Sequence, residues 1–274
     1  MLTRPIPSTG EAMPVIGLGT WRAFDVGLGA VRRPLGKVLQ LLLDAGGRII
    51  DSSPMYRRAE TVTGDLLAES GARPRSFLAT KVWTTGRERG IEQMRRSAQL
   101  LRAEVIDLMQ IHNLVDWRTH LATLRRMKEE GRVRYIGITH YTTGALPELA
   151  RILDREPDID FVQLGYSLAT RAAETELLPT AAARGIAVIV NQPLERGELF
   201  RRVRGRAVPD WVSEFDCTSW AQLFLKYILA EPAVTCVIPA TGNPEHIKDD
   251  LAAGFGNLPD TRQRQQIRQF WDTL

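Results

Sequence analysis

Four side chains in this sequence have the types and the spacing to move a proton. Asp51 closes the apolar run 48–51, Lys81 closes 77–81, His112 closes 105–112, and Tyr56 follows five residues after Asp51. A phenol, with an ordinary pKa of about 10, is a poor proton donor at neutral pH. An ammonium beside it favours the phenolate and lowers that pKa. A carboxylate neutralises and orients the ammonium, and an imidazole can hydrogen-bond a substrate oxygen. Such a set suits delivery of a proton to the alkoxide that develops as hydride adds to a carbonyl. Taken singly, each residue has a plainer reading: Asp51 as a cap or turn residue before Ser-Ser-Pro, Lys81 as a snorkelling lysine, His112 as a satisfied core histidine, Tyr56 as a surface aromatic. What decides is whether the chain brings the ends of those runs together.

Short β-rich runs alternate with helical patterns from end to end. Strands are expected at 15–20, 48–51, 77–81, 105–112, 133–139, 161–166, 186–191 and 234–239. Helices are expected at 35–46, 60–69, 87–101, 117–130, 146–154, 174–184, 220–230 and 245–253. Val38, Leu39, Leu42 and Leu43 share one stripe of the first helix, and Gly46 ends it. Strands alternating with helices imply a parallel sheet covered by helices. Eight such units in about 250 residues is the count of a (β/α)8 barrel, whose active site lies at the C-terminal ends of its strands. Asp51, Lys81 and His112 occupy three successive such ends. A doubly wound open sheet would need a G-x-G-x-x-G turn after the first strand. Gly27-Leu-Gly29-Ala-Val-Arg32 fails at the third glycine and follows no strand. The segment 260–271 reads as an extra, exposed C-terminal helix. Residues 193–218 are too long for an idle connection and are a candidate binding loop. Nothing marks a second domain, so one barrel domain over 1–274 is expected.

Composition narrows the function classes. The chain has 274 residues, 44% hydrophobic and 25% charged, a globular mix that excludes disordered and fibrous classes. Lys+Arg 36 against Asp+Glu 32 gives a net charge of +4, too even to argue for nucleic acid. Cys217 and Cys236 make no disulfide framework, and a reducing compartment, the cytoplasm, is expected. The start of the chain has no apolar signal-peptide core, and no apolar run approaches membrane-spanning length. A monomer is expected.

The residues around the four side chains carry a resemblance. Gly17-Leu-Gly-Thr-Trp21, Asp51-Ser-Ser-Pro-Met-Tyr56 followed by Glu60, Ala79-Thr-Lys81, Gln110-Ile-His112, Gly131-Arg-Val-Arg-Tyr-Ile-Gly137, Gln163-Leu-Gly-Tyr166 and Val237-Ile-Pro239 resemble motifs of the aldo-keto reductase superfamily over essentially the whole chain. The spacing of Asp51, Tyr56, Lys81 and His112 matches that family's catalytic tetrad. The resemblance implies a TIM barrel opened by an N-terminal β-hairpin, at Arg4-Pro-Ile-Pro-Ser-Thr-Gly-Glu11, that plugs its base. It implies NAD(P)H-dependent reduction of an aldehyde or ketone to an alcohol. Tyr56 would be the general acid, Lys81 and Asp51 its tuners, and His112 the group that orients the carbonyl. NADPH is the implied cofactor, with NADH as the alternative; no metal is implied, and the partner is a small-molecule carbonyl substrate.

By the same carry-over, Gly19, Thr20, Trp21 and Asp51 line the cofactor's mouth, and Thr139, His140 and Gln163 meet the nicotinamide. Asn191, Gln192, Pro193 and Leu194 run beside it, and Pro239, Ala240, Thr241, His246 and Asp250 face the adenosine end. Trp21, Met55, Trp83 and Trp117 wall an apolar substrate pocket suited to uncharged carbonyls, and Phe200 and Trp211 are further candidates on loops. Three features depart from the family. Asn191 stands where many members have a tyrosine that stacks on the nicotinamide, a platform of about 1–3 kcal/mol on the scale of aromatic–base stacking. His140 replaces a common asparagine. Ala240, Thr241, His246 and Asp250 lack the arginine that would secure a 2′-phosphate, which leaves Thr241, N–H groups at the helix start near Asn243 and Lys248 as the groups that could still hold one. The basic run Arg201-Arg-Val-Arg-Gly-Arg206 is either a solvated loop or a clamp on the pyrophosphate. Two rival functions are a cofactor-binding sensor without turnover and a metal-dependent hydrolase on the same barrel. The hydrolase lacks the paired histidines such sites use, since residues 112, 120, 140 and 246 form no H-x-H or H-x-x-H.

Overall fold

The computed structural model describes residues 1–274. The chain enters as an antiparallel hairpin, β1 (Thr3–Pro5) and β2 (Ala12–Pro14), registered Thr3↔Pro14 and Pro5↔Ala12. Eight parallel strands follow in chain order around one sheet: β3 (Leu18–Gly19), β4 (Ile49–Asp51), β5 (Phe77–Val82), β6 (Ile106–His112), β7 (Val133–His140), β8 (Phe161–Gly165), β9 (Ala187–Asn191) and β10 (Cys236–Val237). The sheet closes on itself. Ile16 bridges Val237 and Gly19 bridges Ala240, both parallel, and Gly17 N–H donates to Val237 O at 2.8 Å. Gly17 must be glycine at this seam, because a Cβ there would lie 1.8 Å from Ile49 Cγ2. The expected strands 15–20 and 234–239 are shorter as regular ladder, their remaining residues pairing through these bridges and single backbone hydrogen bonds such as Thr20 N–H to Asp51 O and Ile238 N–H to Val190 O.

The covering helices are α1 (Arg33–Asp44), α2 (Ala59–Glu69), α3 (Arg87–Leu100), α4 (Trp117–Glu129), α5 (Leu146–Arg155), α6 (Leu177–Ala183), α7 (Glu198–Arg202), α8 (Trp220–Leu229), α9 (Pro244–Ala252) and α10 (Thr261–Asp272). Each amphipathic stripe faces the sheet. In α1 it is Leu35, Val38, Leu39, Leu42 and Leu43, and in α5 it is Leu146, Leu149, Ala150, Ile152 and Leu153. A second core fills the barrel's interior. There Ile6 and Met13 of the hairpin meet Ile49, Phe77, Leu108, Tyr135, Phe161 and Cys236. Phe77 and Tyr135 stack at 5.8 Å between ring centroids, and Phe161 sets its edge to Tyr135 at 5.5 Å. The hairpin thus plugs the N-terminal end and leaves the strands' C-terminal ends open.

Two elements differ from expectation. The helix expected over 174–184 begins only at Leu177, after a separate 3-10 turn at Ala172–Glu174. Pro179 is the reason: it lacks an N–H and its ring clashes with the preceding turn, so it fits only within the first turn of a helix. The C-terminal helix α10 is not simply exposed. Ile267 and Trp271 are buried, Trp271 sets its edge to Phe224 of α8 at 5.6 Å, and an Asp260–Gln263 capping box starts the helix. Arg264 and Arg268 tie it to Glu174 at 2.8 and 3.1 Å. No helix is long and apolar enough to cross a membrane.

Candidate active site

Strand register brings the ionisable strand ends to one rim. Asp51 pairs with Ala79, Lys81 with Gln110, His112 with Thr139, and Thr139 with Gln163. Lys81 Nζ donates to Asp51 Oδ2 and to Ser52 O, both at 2.6 Å, and the two charged side chains are only 1% and 3% exposed. The other carboxylate oxygen of Asp51 accepts from Gln110 Nε2 at 3.1 Å and from Gln163 Nε2 at 2.9 Å. A buried pair is tolerable when its spare lone pairs and protons are bonded in this way.

Tyr56 ends a 3-10 turn, Pro54–Tyr56, that is started by Ser53, whose Oγ accepts from Met55 N. Its ring centroid lies 5.2 Å from Lys81 Nζ, and its ring stands edge-on to His112 at 6.0 Å and 89°. Burial pushes the phenol's pKa above its ordinary value; the Lys81 charge and hydrogen bond pull it down and Asp51 pushes it up, and the net direction is upward. The expectation that the ammonium would leave Tyr56 below its ordinary pKa therefore does not describe this site: desolvation outweighs it. The Lys81 ammonium is pulled down by burial, but Asp51, Tyr56 and Glu60 more than offset this and leave it raised. His112 is pushed down to about 3 by burial, by the Lys81 charge and by His140. It is therefore a neutral imidazole at physiological pH. Its Nδ1 lies 2.9 Å from Ser53 Oγ. In the tautomer in which Ser53 Oγ–H donates to Nδ1, Nε2 carries the ring's N–H and points its donor away from Ser53.

Asp51, Tyr56 and His112 line a cavity of about 990 Å³. Of the expected site residues, Gly19, Trp21, Asp51, Met55, Tyr56, Trp83 and His112 line one part of its wall; Thr139, Gln163, Asn191, Gln192, Pro193 and Leu194 another; and Pro239, Ala240, Thr241, His246 and Asp250 a third. Thr20, Lys81, His140 and Trp117 are not in the lining; Lys81 lies buried behind Asp51. Thr20 is fully buried and donates to Asp51 O at 3.0 Å, supporting the strand end. His140 Nδ1 accepts from Thr142 N–H, and its neighbour Tyr141 takes the place on the wall. Trp117 packs against the outer core under Arg118. Phe200 lines the cavity, whereas Trp211 packs on Phe215 and Phe270.

The arginine run 201–206 does not reach the cavity. Arg201 pairs with Glu198, and Arg202 lies 4.5 Å over the ring of Trp271 and donates to its carbonyl. Two other arginines line the cavity instead. Arg22 and Arg196 both adopt left-handed backbone conformations, φ 61° and 56°, and place their guanidinium carbons 4.3 and 4.6 Å from the ring of Trp21. Nothing in residue type marks these two positions, because the turn that aims them is a property of backbone angle.

The residues present fit a nicotinamide dinucleotide. The cavity is at the large end for small-molecule sites, two guanidiniums converge in it, and Asn191 Oδ1 is buried in its wall without a partner. Asn191 Nδ2 instead donates to Gln163 Oε1 at 3.2 Å, so this residue anchors the Gln163–Asp51 chain of hydrogen bonds rather than offering a stacking face. No three His, Cys, Asp or Glu side chains converge as metal ligands do.

Comparison with known proteins places this arrangement in a family. The model of the aldo/keto reductase family matches residues 15–272. A 9,11-endoperoxide prostaglandin H2 reductase of Trypanosoma cruzi is 29% identical over 262 residues, covering 92% of this chain and 86% of that protein. The methylglyoxal reductase YeaE of Escherichia coli is 26% identical, covering 92% and 89%. A solved aldo/keto reductase of Klebsiella pneumoniae in complex with NADP and acetate superimposes with a TM-score of 0.80 at 25% identity, covering 96% of this chain and 93% of its own. A second Klebsiella pneumoniae structure, in complex with NADPH, has the same TM-score and identity and covers 99% and 96%. This chain belongs to the aldo/keto reductase family.

Proposed function

We propose that the protein reduces an aldehyde or ketone to an alcohol at the rim formed by Asp51, Tyr56, Lys81 and His112. The observation that carries this reading is the buried Lys81–Asp51 pair, 2.6 Å apart beneath Tyr56, with Asp51 and Tyr56 lining the cavity. Bound there, a nicotinamide dinucleotide supplies the hydride. Tyr56, held protonated by burial, gives its proton to the developing alkoxide. Lys81 stands beside the phenolate that remains and stabilises it, and Asp51 keeps the ammonium in place. His112, neutral and with Nε2 as donor, hydrogen-bonds the carbonyl oxygen and fixes its approach. Met55, Trp83, Tyr141 and Trp21 wall the mouth and suit a small, largely apolar carbonyl compound.

The same cavity gives each part of the hydride donor a partner. Gln163 and Asn191 would hold the nicotinamide's carboxamide, and Arg22 and Arg196 its pyrophosphate. The two buried, unpaired cysteines suit work in a reducing compartment such as the cytoplasm.

The test is absorbance at 340 nm with each reduced cofactor and an activated aldehyde such as nitrobenzaldehyde. Oxidation that depends on both components is expected. Tight binding of both cofactors with no turnover across a panel of aldehydes and ketones would leave a sensor instead.

A further inference from the structure

The cavity changes charge along its length. Around Trp21 it presents two guanidiniums, Arg22 and Arg196. From there residues 21–23 lead to Gly242, where a side chain would come within 3.7 Å of Ala23 O. At that end the wall is acidic: Asp249 and Asp250, adjacent on α9, both line it. Asp250 is 4% exposed, and no protein donor bonds its carboxylate. Asp249 Oδ1 accepts from Gln222 Nε2 at 2.6 Å. Burial, with Asp249 beside it, lifts the Asp250 carboxyl to about 7, which is the mark of a carboxylate short of a hydrogen-bond donor.

A phosphate at this end would find little to hold it. His246 is the one basic side chain in this part of the lining; Lys248 is exposed and pairs with Glu245 at 2.7 Å. Most of the start of α9 is spent as well. Asn243 Oδ1 takes the Glu245 N–H at 2.9 Å, residue 244 is a proline with no N–H, and Asn243 N–H is bonded to Thr241 Oγ1 at 3.1 Å. These bonds occupy the Asn243 and Glu245 N–H groups, so of the helix-start N–H groups that ordinarily cradle an anion only that of His246 is left open.

We infer that this end of the cavity is built for an adenosine whose ribose keeps a free 2′-hydroxyl, so that the protein selects NADH over NADPH, with Asp250 accepting from that hydroxyl. The inference rests on the reductase reading, in which the dihydronicotinamide sits at the tetrad, the pyrophosphate at Arg22 and Arg196, and the adenosine at the remaining end. The physical reason is the one by which a carboxylate discriminates dinucleotides elsewhere: it accepts from a ribose hydroxyl and repels a phosphate in the same place. It separates this chain from its two Klebsiella pneumoniae relatives of known structure, which are complexes with NADP or NADPH.

Titration of tryptophan fluorescence with NADH and with NADPH at pH 8 tests it, with displacement by 5′-AMP and 2′-AMP as a second reading. The expected result is a dissociation constant for NADH at least about tenfold below that for NADPH, the scale of one unpaired buried charge, and displacement by 5′-AMP at lower concentration than by 2′-AMP. In Asp249→Asn/Asp250→Asn that ratio should shrink toward unity. Equal or tighter binding of NADPH by the wild-type chain overturns the inference, whether or not the variant folds, and leaves the reductase reading standing. Binding of neither dinucleotide removes both.

Discussion

Lys81 Nζ lies 2.6 Å from Asp51 Oδ2 in a site where neither side chain is more than 3% exposed. The pair is the hub of the active site: Gln110, Gln163 and Ser52 complete its hydrogen bonds, and Tyr56 sits above it. Breaking a buried pair from one side leaves an uncompensated charge. Asp51→Asn should therefore lower unfolding free energy by about 3–5 kcal/mol, read by urea denaturation. Adding Lys81→Met in the same chain should restore much of that stability without restoring turnover. Loss of activity with unchanged stability in Asp51→Asn would show that the pair is solvated in solution.

His112 links stability to acid. Its imidazole is held at about 3 by burial, Lys81 and His140, against about 6.5 in the unfolded chain. Between those values the unfolded state binds the extra proton, so stability is fully present above pH 6.5 and falls as pH drops. The slope from this group approaches about 1.4 kcal/mol per pH unit. Replacing His112 with Gln should flatten the stability profile between about pH 6 and 4. An unaltered slope would mean that His112 is charged or exposed in the folded protein.

Tyr56 sets the alkaline limit of reduction. Its pKa is moved above the ordinary tyrosine value by burial, in spite of Lys81. An acid catalyst works while protonated, so kcat/KM for carbonyl reduction should stay level through neutral and mildly alkaline pH and fall only above about 10. A break near pH 7 or 8 would mean that the ammonium outweighs desolvation after all.

Arg22 and Arg196, rather than the run 201–206, should govern cofactor affinity. Arg22→Ala/Arg196→Ala should raise the dissociation constant of the dinucleotide by about tenfold or more, the effect of losing charge-assisted bonds to a phosphate. Replacing Arg201, Arg202, Arg204 and Arg206 with Ser should leave it within about twofold, since none of them lines the cavity. Stopped-flow or fluorescence titration distinguishes the two sets, and the opposite ranking would remove the assignment.

The barrel and its rim were legible because they rest on periodic patterns. Alternating strand and helix signals place Asp51, Lys81 and His112 at strand ends, and parallel register then forces those ends together. Legibility failed where backbone angle or a distant contact decides. Arg22 and Arg196 enter the cavity through left-handed φ that any composition leaves invisible. His140 turns to Thr142 and yields its place to Tyr141, and Trp117 packs on the outer core. Ile267 and Trp271 bury one face of a helix rich in Arg and Gln because Glu174, far back in the chain, receives its arginines. The direction of the Tyr56 shift was also out of reach, because it is a contest between burial and charge that spacing alone cannot weigh.

The account depends most directly on the phenol of Tyr56 as the proton donor. Tyr56→Phe removes that hydroxyl and keeps the ring against His112. With saturating reduced cofactor and an aldehyde that the wild-type chain reduces, turnover followed at 340 nm should fall by about 10²–10⁴-fold while the dissociation constant of the cofactor stays the same. Turnover within a few-fold of the wild-type chain would contradict the account.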